Sequence, residues 1–352
     1  MSPDHVRAYL LWATAIGVEF PTADGGLIAL LDRLDVVQLD PIDRVGQNAD
    51  LVAGARVDGI VRGDIHRALA GRSFEHFAKE RCIVHMRHFP HYRRQAVESQ
   101  WWRGTERMSK LDDAILDDVL AEVKQRGPLT TDSLSARGKV EAINWNGWKG
   151  TSRREVLAME ALWARCDIVV SGRDAKGKRQ YGTPEQLLPH DLVAAEPTEP
   201  FAEVVLLARV RSAGLLARAG GPTWSMLSKV RTDGTVDRLL REGRLVEIRV
   251  GRRPYLALPE IATFDAQGFL ANLDHAPTVL GPLDPLLWDR ALVHEVFDFE
   301  YLWEVYKPVA QRRWGYYVLP VLIGGKLVGR IEARREGQTL VLERSWGAIP
   351  QV

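Results

Sequence analysis

Twice in this chain a helix-like stretch gives way to a short apolar strand, a turn crowded with basic residues, and a returning strand. Between residues 236 and 258 the helix-like part is Val236-Asp237-Arg238-Leu239-Leu240, ending near Gly243. The strand Leu245-Val246-Glu247-Ile248-Arg249-Val250 follows, and the turn Gly251-Arg252-Arg253 leads back into Pro254-Tyr255-Leu256-Ala257-Leu258. Between 153 and 183, Val156, Met159, Leu162 and Trp163 recur at the spacing that places side chains on one face of a helix. Cys166-Asp167-Ile168-Val169-Val170, a basic turn over 173–179 and Gln180-Tyr181 complete that copy. Upstream of it, Gly127-Pro128-Leu129-Thr130-Thr131-Asp132 offers a break and an N-cap. A looser third copy runs from Ile65 to Val84. Helix, strand, basic turn, strand is how a winged helix ends. The pattern predicts an α+β chain of tandem winged-helix units, that is, helix-turn-helix with a β-wing.

The last third changes character. Four β-rich runs, 301–306, 316–323, 326–333 and 339–343, are separated in part by Gly324-Gly325 and Glu336-Gly337, which read as hairpin turns. Pro320 inside one run predicts an edge strand or a bulge. A small C-terminal β-barrel or curled sheet is expected. The organisation read from these signals is a first winged-helix unit over 1–108, a second over 109–196, a third over 197–262 and the barrel over 263–352.

Composition limits the function classes. Of 352 residues, 46% are hydrophobic and 26% charged, the balance of a globular protein, which excludes collagen-like and disordered chains. The apolar run 8–18 is too short to span a bilayer and predicts an amphipathic first helix. Two cysteines, Cys82 and Cys166, cannot make a disulfide framework or a four-ligand zinc cluster, and they suit a reducing cytoplasm. The net charge of +1 hides a segregation. Eight Lys/Arg against four Glu lie between Arg72 and Arg107, and seven Lys/Arg against Glu332 alone lie between Lys307 and Arg335. Such segregation builds a phosphate-attracting groove on a neutral protein, although solvated helix and strand faces would look the same. The wing tips, with Lys176, Lys178, Arg179, Arg249, Arg252 and Arg253, suit backbone or minor-groove contact. A wing also serves as a dimer surface or plain scaffold.

Motifs for familiar chemistries are missing: no P-loop, dinucleotide fingerprint, His-Glu-x-x-His or Gly-x-Ser-x-Gly occurs. His85, His88 and His91 sit three apart on an expected helix, where no carboxylate joins them to hold a metal; they read as solvated or phosphate-facing. Trp101, Trp102, Trp145 and Trp148 stand beside basic residues and are candidates for stacking on bases, with packing as the alternative.

One segment is odd on physical grounds. Residues 34–43, Leu-Asp-Val-Val-Gln-Leu-Asp-Pro-Ile-Asp, follow an expected helix over 27–34 and read as extended, with Gln38 and Asp40 on one face and Val37 and Leu39 on the other. A carboxylate in a phosphate-binding groove repels its ligand, so it is useful only where positive charge develops. Taken alone, a strand-edge or capping role also accounts for Gln-x-Asp.

With these residues in view the chain resembles the AlkZ/YcaQ-like winged-helix DNA glycosylases, the crosslink-repair DNA glycosylases. The likeness extends over nearly the whole sequence. It is carried by Leu280-Gly281-Pro282-Leu283-Asp284-Pro285-Leu286-Leu287-Trp288-Asp289-Arg290, by Phe297-Asp298-Phe299, by 312–320, by Leu327-Val328-Gly329-Arg330, and by Val37-Gln38-Leu39-Asp40, which is similar to the family's catalytic Gln-hydrophobic-Asp motif. The resemblance implies tandem winged helices around double-stranded DNA, a C-terminal β-barrel, no metal, no cofactor and catalysis by Gln38 and Asp40. The chain departs from the pattern at Lys79, where a His follows a Tyr-Trp-Ala run in relatives, and at Asp43 and Gln47-Asn48.

The expected reaction is monofunctional hydrolysis of the N-glycosidic bond of a cationic N-alkylated purine, N7-alkylguanine or N3-alkyladenine, with unhooking of interstrand crosslinks as an extension. Lys79, Lys178, Arg179, Arg252, Arg253, Arg312, Arg313 and Trp314 are the expected DNA contacts, on a protein that works as a monomer away from membranes, beside the nucleoid. Lys79 also offers an amine that could act as a nucleophile for lyase chemistry. The competing readings are a non-catalytic winged-helix regulator and a glycosylase relative without activity.

Overall fold

The structure is a computed structural model that describes residues 1–99, 111–143, 149–337 and 339–349. The tryptophans proposed to stack on bases, Trp101, Trp102, Trp145 and Trp148, lie outside the described residues. Helices and small sheets alternate along the chain, an α+β arrangement. The chain divides into two compact units that interleave in sequence: residues 1–65, 77–82 and 205–352 form the first, and 66–76 with 83–204 the second. Among the described residues no helix is long and apolar enough to cross a membrane.

In the first unit the expected N-terminal helix is Pro3–Ala13, started by the Ser2 hydroxyl, which accepts from the His5 N–H, and by Pro3 in the first turn. It buries Val6, Tyr9, Leu10 and Leu11 and packs on helices Ala266–Ala271 and Arg290–Phe297. Helix Ala23–Leu34 ends at Asp35, whose φ of +63° turns the chain abruptly and whose buried carboxylate pairs with Arg211. Strand Val36–Gln38 begins at once. The extended run expected over 34–43 is therefore only three residues long, and strand alternation does not reach Asp40.

The helix–strand–turn–strand pattern at 236–258 is present as helix Thr235–Arg241 followed by strands Val246–Val250 and Arg253–Ala257, with Leu216–Ala217 added to form a three-stranded sheet. Gly251 takes φ +55° at the turn between the long strands, a conformation in which glycine meets no Cβ penalty.

Near the C-terminus, strands Thr278–Val279, Val318–Ile323, Lys326–Glu336 and Thr339–Gly347 form one antiparallel sheet in that order. Gly324 and Gly325, at φ +52° and +75°, make the tight turn their sequence predicts. The sheet is open: no pairing joins Thr339–Gly347 to Thr278–Val279 among the described residues, so the expected closed barrel is not formed. One edge strand has only two residues, and 301–306, expected to be strand, is irregular. Pro320 does not lie on an edge either. Its strand has neighbours on both sides, its carbonyl accepts from the Leu280 N–H at 3.0 Å, and a register shift follows at Val321/Leu322. The missing proline donor is tolerated next to that irregularity.

In the second unit, helix Asp113–Arg126, capped by Asp112, packs on helix Arg154–Ala164. Leu116, Val119 and Val123 on one and Leu157, Ala158 and Leu162 on the other are buried. The expected hairpin follows as Val169–Arg173 and Arg179–Gly182. The three histidines do not share a solvated helical face. His85 ends strand Glu80–His85, His88 lies in the 3-10 turn Met86–His88, and His91 lies in helix Phe89–Ser99, with the first two buried.

Candidate active site

The Gln-x-Asp segment leaves strand Val36–Gln38 and passes along the inside of the first unit. The Leu39 N–H donates to the Arg81 carbonyl at 2.8 Å, which fixes the segment beside residues 77–82. Asn48 holds it from the other side: its Nδ2 donates to the Gln38 carbonyl at 2.9 Å, and its Oδ1 accepts the Leu283 N–H at 3.1 Å. This buried amide ties Gln38 to the Leu280–Arg290 run that carries the resemblance. A Cβ at Gly281 would come within 2.8 Å of Asn48 Oδ1, so glycine there leaves room for that clamp. Asp284, in the same run, is fully buried and forms a two-pronged ion pair with Arg56, at 2.7 and 2.9 Å. Arg56 also donates to the Thr14 and Val52 carbonyls, so the pair is satisfied on all sides. The run is therefore a scaffold for Gln38, a role that sequence reasoning missed for Asn48, Arg56 and Asp284. The one available signal was an Asp inside an apolar stretch, which asks for a buried cation.

Gln38 itself is buried, and its Oε1 accepts from the Lys79 Nζ at 3.1 Å. Lys79 sits at the tip of the hairpin Ser73–Ala78/Glu80–His85, where Glu80 takes φ +56°, and its ammonium stands 5.1 Å from the Trp288 ring centroid. The indole is in turn anchored through Nε1 to the Leu283 carbonyl at 2.9 Å, and Arg209 lies 5.8 Å from the same ring. Burial, and after it the Arg209 charge, push the Lys79 amine down to about 8. Lys79, expected on a DNA-contacting surface, is instead an interior partner of Gln38.

Asp40 stands apart from these cations. It is half-buried, and its Oδ1 accepts the Ile42 N–H at 2.8 Å, closing a turn after the strand. No ion pair engages its carboxylate among the described residues. Burial raises its pKa against the opposing Ile42 hydrogen bond. The negative charge of Asp40 reaches Tyr306 and Tyr317, helping, after burial, to hold both phenols protonated. Such an uncompensated carboxylate is suited to stabilise a cation or to take a proton from water. Two neighbouring departures are structural: Asp43 pairs with Arg62, and Asn48 clamps the Gln38 backbone. No cluster of three or more His, Cys, Asp or Glu suited to a metal occurs among the described residues.

A family model for AlkZ-like DNA glycosylases matches residues 31–349. The chain belongs to this family. Among solved structures, the Streptomyces sahachiroi DNA glycosylase AlkZ is similar to it, with a TM-score of 0.58 and 17% identity over 97% of this chain and 90% of that one. At that identity the likeness speaks for the fold.

In this chain the expected basic contacts differ in how far they are committed to partners. Arg252 and Arg253 are exposed at the turn between strands Val246–Val250 and Arg253–Ala257, with Arg253 hydrogen-bonded to the Tyr255 hydroxyl, and Lys178 is exposed but paired with Asp132. Arg179 is half-exposed but committed to the second unit's buried Glu75, which it and Arg173 neutralise, Arg179 at 2.7 Å. Arg313 pairs with Glu300 at 2.6 Å and lies 4.6 Å from the Trp314 ring centroid, while Arg312 lies 5.0 Å from that of Tyr316. Trp314 is half-buried, with Arg330 4.0 Å from its centroid and Trp346 at 5.8 Å.

Proposed function

We propose that this protein is a monofunctional DNA glycosylase for cationic N-alkylated purines, N7-alkylguanine first and N3-alkyladenine by the same logic. Asp40 and Gln38 are the reacting groups. Alkylation at N7 or N3 makes the base a cation that departs without being protonated. As the glycosidic bond breaks, positive charge gathers at C1′, and a carboxylate not already paired to an arginine stabilises it. The carboxylate also takes the proton of the water that attacks C1′. With its oxygen engaged by Lys79, Gln38 has its amide N–H groups left to hold that water. The products are the free base and an abasic site. The observation that carries this reading is the absence, among the described residues, of an ion pair on Asp40 in a chain with 47 basic side chains.

The reading extends to interstrand crosslinks, whose tethered purines carry the same cationic bond. The two helix-plus-hairpin elements are read as winged helices that approach the DNA, by a protein acting as a monomer without a metal. Family membership favours this over a non-catalytic regulator. The test is to incubate the purified chain with duplex DNA containing N7-methylguanine, and separately with a nitrogen-mustard crosslink, then add alkali. Strand breaks at the lesion are expected, and intact strands with tight binding would support the regulator.

A further inference from the structure

The segment between helix Arg290–Phe297 and strand Val318–Ile323 is irregular yet closely held. Tyr301 is buried and donates its hydroxyl to the Val318 carbonyl at 2.8 Å. Glu304, also buried, gathers the segment around its carboxylate, accepting from the Lys307 ammonium at 2.9 Å, the Arg313 N–H at 3.2 Å and the Trp314 N–H at 2.8 Å. The Lys307 carbonyl accepts from Arg312 Nε at 2.8 Å, and a 3-10 turn covers Val309–Gln311. This frame holds two apolar side chains out into solvent: Tyr306 is 81% exposed and Val309 77%. The Tyr306 ring meets Trp303 edge-on at 5.7 Å, and the Asp40 charge adds to burial in keeping its phenol protonated. Lys307, Arg312 and Arg313 belong to the same segment, with Lys307 paired to Glu304 and Arg313 to Glu300. An aromatic ring packed only edge-on against Trp303 and otherwise held out in water leaves apolar surface open to a partner.

We propose that Tyr306, with Val309 exposed on the same segment, is a wedge that enters the base stack of duplex DNA beside the lesion and holds the extruded nucleotide toward Asp40. The inference rests on the glycosylase reading for its purpose. The wedge itself is a property of DNA binding. Apolar side chains inserted at a base step unstack it, and the flanking cations meet the phosphates on either side.

The test uses the full chain and a duplex with 2-aminopurine next to an N7-methylguanine. Wild type should raise 2-aminopurine fluorescence on binding, Tyr306→Ala should not, and Tyr306→Trp should restore the rise. Because the wedge takes over the cost of unstacking the step, Tyr306→Ala should slow single-turnover excision by about tenfold or more. Its salt dependence of binding should match wild type, since no charge is lost. Unchanged melting temperature separates this from misfolding. If Tyr306→Ala unstacks the flanking base as wild type does, the wedge is wrong, whatever the excision rate. If wild type binds and unstacks DNA through Tyr306 but releases no base, the wedge stands and the glycosylase reading fails. If Tyr306→Ala loses instead a protein partner or self-association with fluorescence unchanged, the face is a protein surface and the proposal is overturned.

Discussion

The Lys79 ammonium lies 3.1 Å from the Oε1 of Gln38, so a group expected to grip DNA is spent inside the fold on orienting the Gln38 amide. Its titration gives a stability signature. Lys79 is held at about 8 in the folded chain against about 10.5 when unfolded. Below pH 8 both states carry the proton and the cost of burying the charge is constant. Between about 8 and 10.5 the unfolded state binds more protons, so folding stability rises with pH, by roughly 3 kcal/mol in all. Lys79→Met should lack this rise. Urea unfolding of both proteins at pH 7, 8.5 and 10 checks it, and parallel curves would remove Lys79 from the buried position. Borohydride should trap no Lys79–DNA adduct, because that amine is engaged with Gln38 and covered by Trp288.

Glu304 makes an opposite prediction. Burial alone would raise its pKa, but the Lys307 ammonium and the Trp314 and Arg313 N–H groups overcome this and push it down to about 2. Its contribution is therefore present above pH 4.5 and is lost as pH falls from about 4.5 toward 2. Glu304→Gln keeps the shape but weakens the charged hydrogen bonds, and should cost about 2 kcal/mol at pH 7 and progressively less in acid. Thermal melts from pH 7 to 3 read this directly. The same variant should loosen the frame of Tyr306 and slow excision as Tyr306→Ala does.

The basic residues should separate by role. Arg312→Ala and Arg313→Ala should weaken binding across DNA sequences and each reduce the salt slope by about 1. Arg179→Ala should instead leave Glu75 less well neutralised inside the second unit, lowering its melting temperature with less effect on the salt slope. Binding titrations from 50 to 200 mM salt, with melting curves alongside, decide between the two groups.

The periodic elements were legible in the sequence because each announces itself locally. Val156, Met159, Leu162 and Trp163 mark the helix Arg154–Ala164, and Gly251 and the Gly324-Gly325 pair mark their turns. What was not legible depends on partners far away in the chain. The strand at Gln38 is short because Asp35 bends the backbone before it and Asp40 closes a turn after it. Residues 301–306 look like strand but are drawn into a loop by Glu304, whose partners Arg313 and Trp314 lie nine and ten residues on. Lys79 looked like a surface cation, and only the fold places Trp288 and Gln38 around it. Asp40 itself was singled out by chemistry, a carboxylate out of place in a phosphate-binding chain. Its lack of a salt-bridge partner among the described residues could come only from the structure.

The most direct measurement is single-turnover release of N7-methylguanine by Asp40→Asn beside wild type, with DNA affinity measured in parallel. The account predicts excision slower by roughly 10²-fold or more, as when one electrostatic stabiliser of a transition state is removed, while affinity holds or increases because a negative charge has left the DNA-facing surface. An Asp40→Asn protein that releases the base as fast as wild type would contradict it.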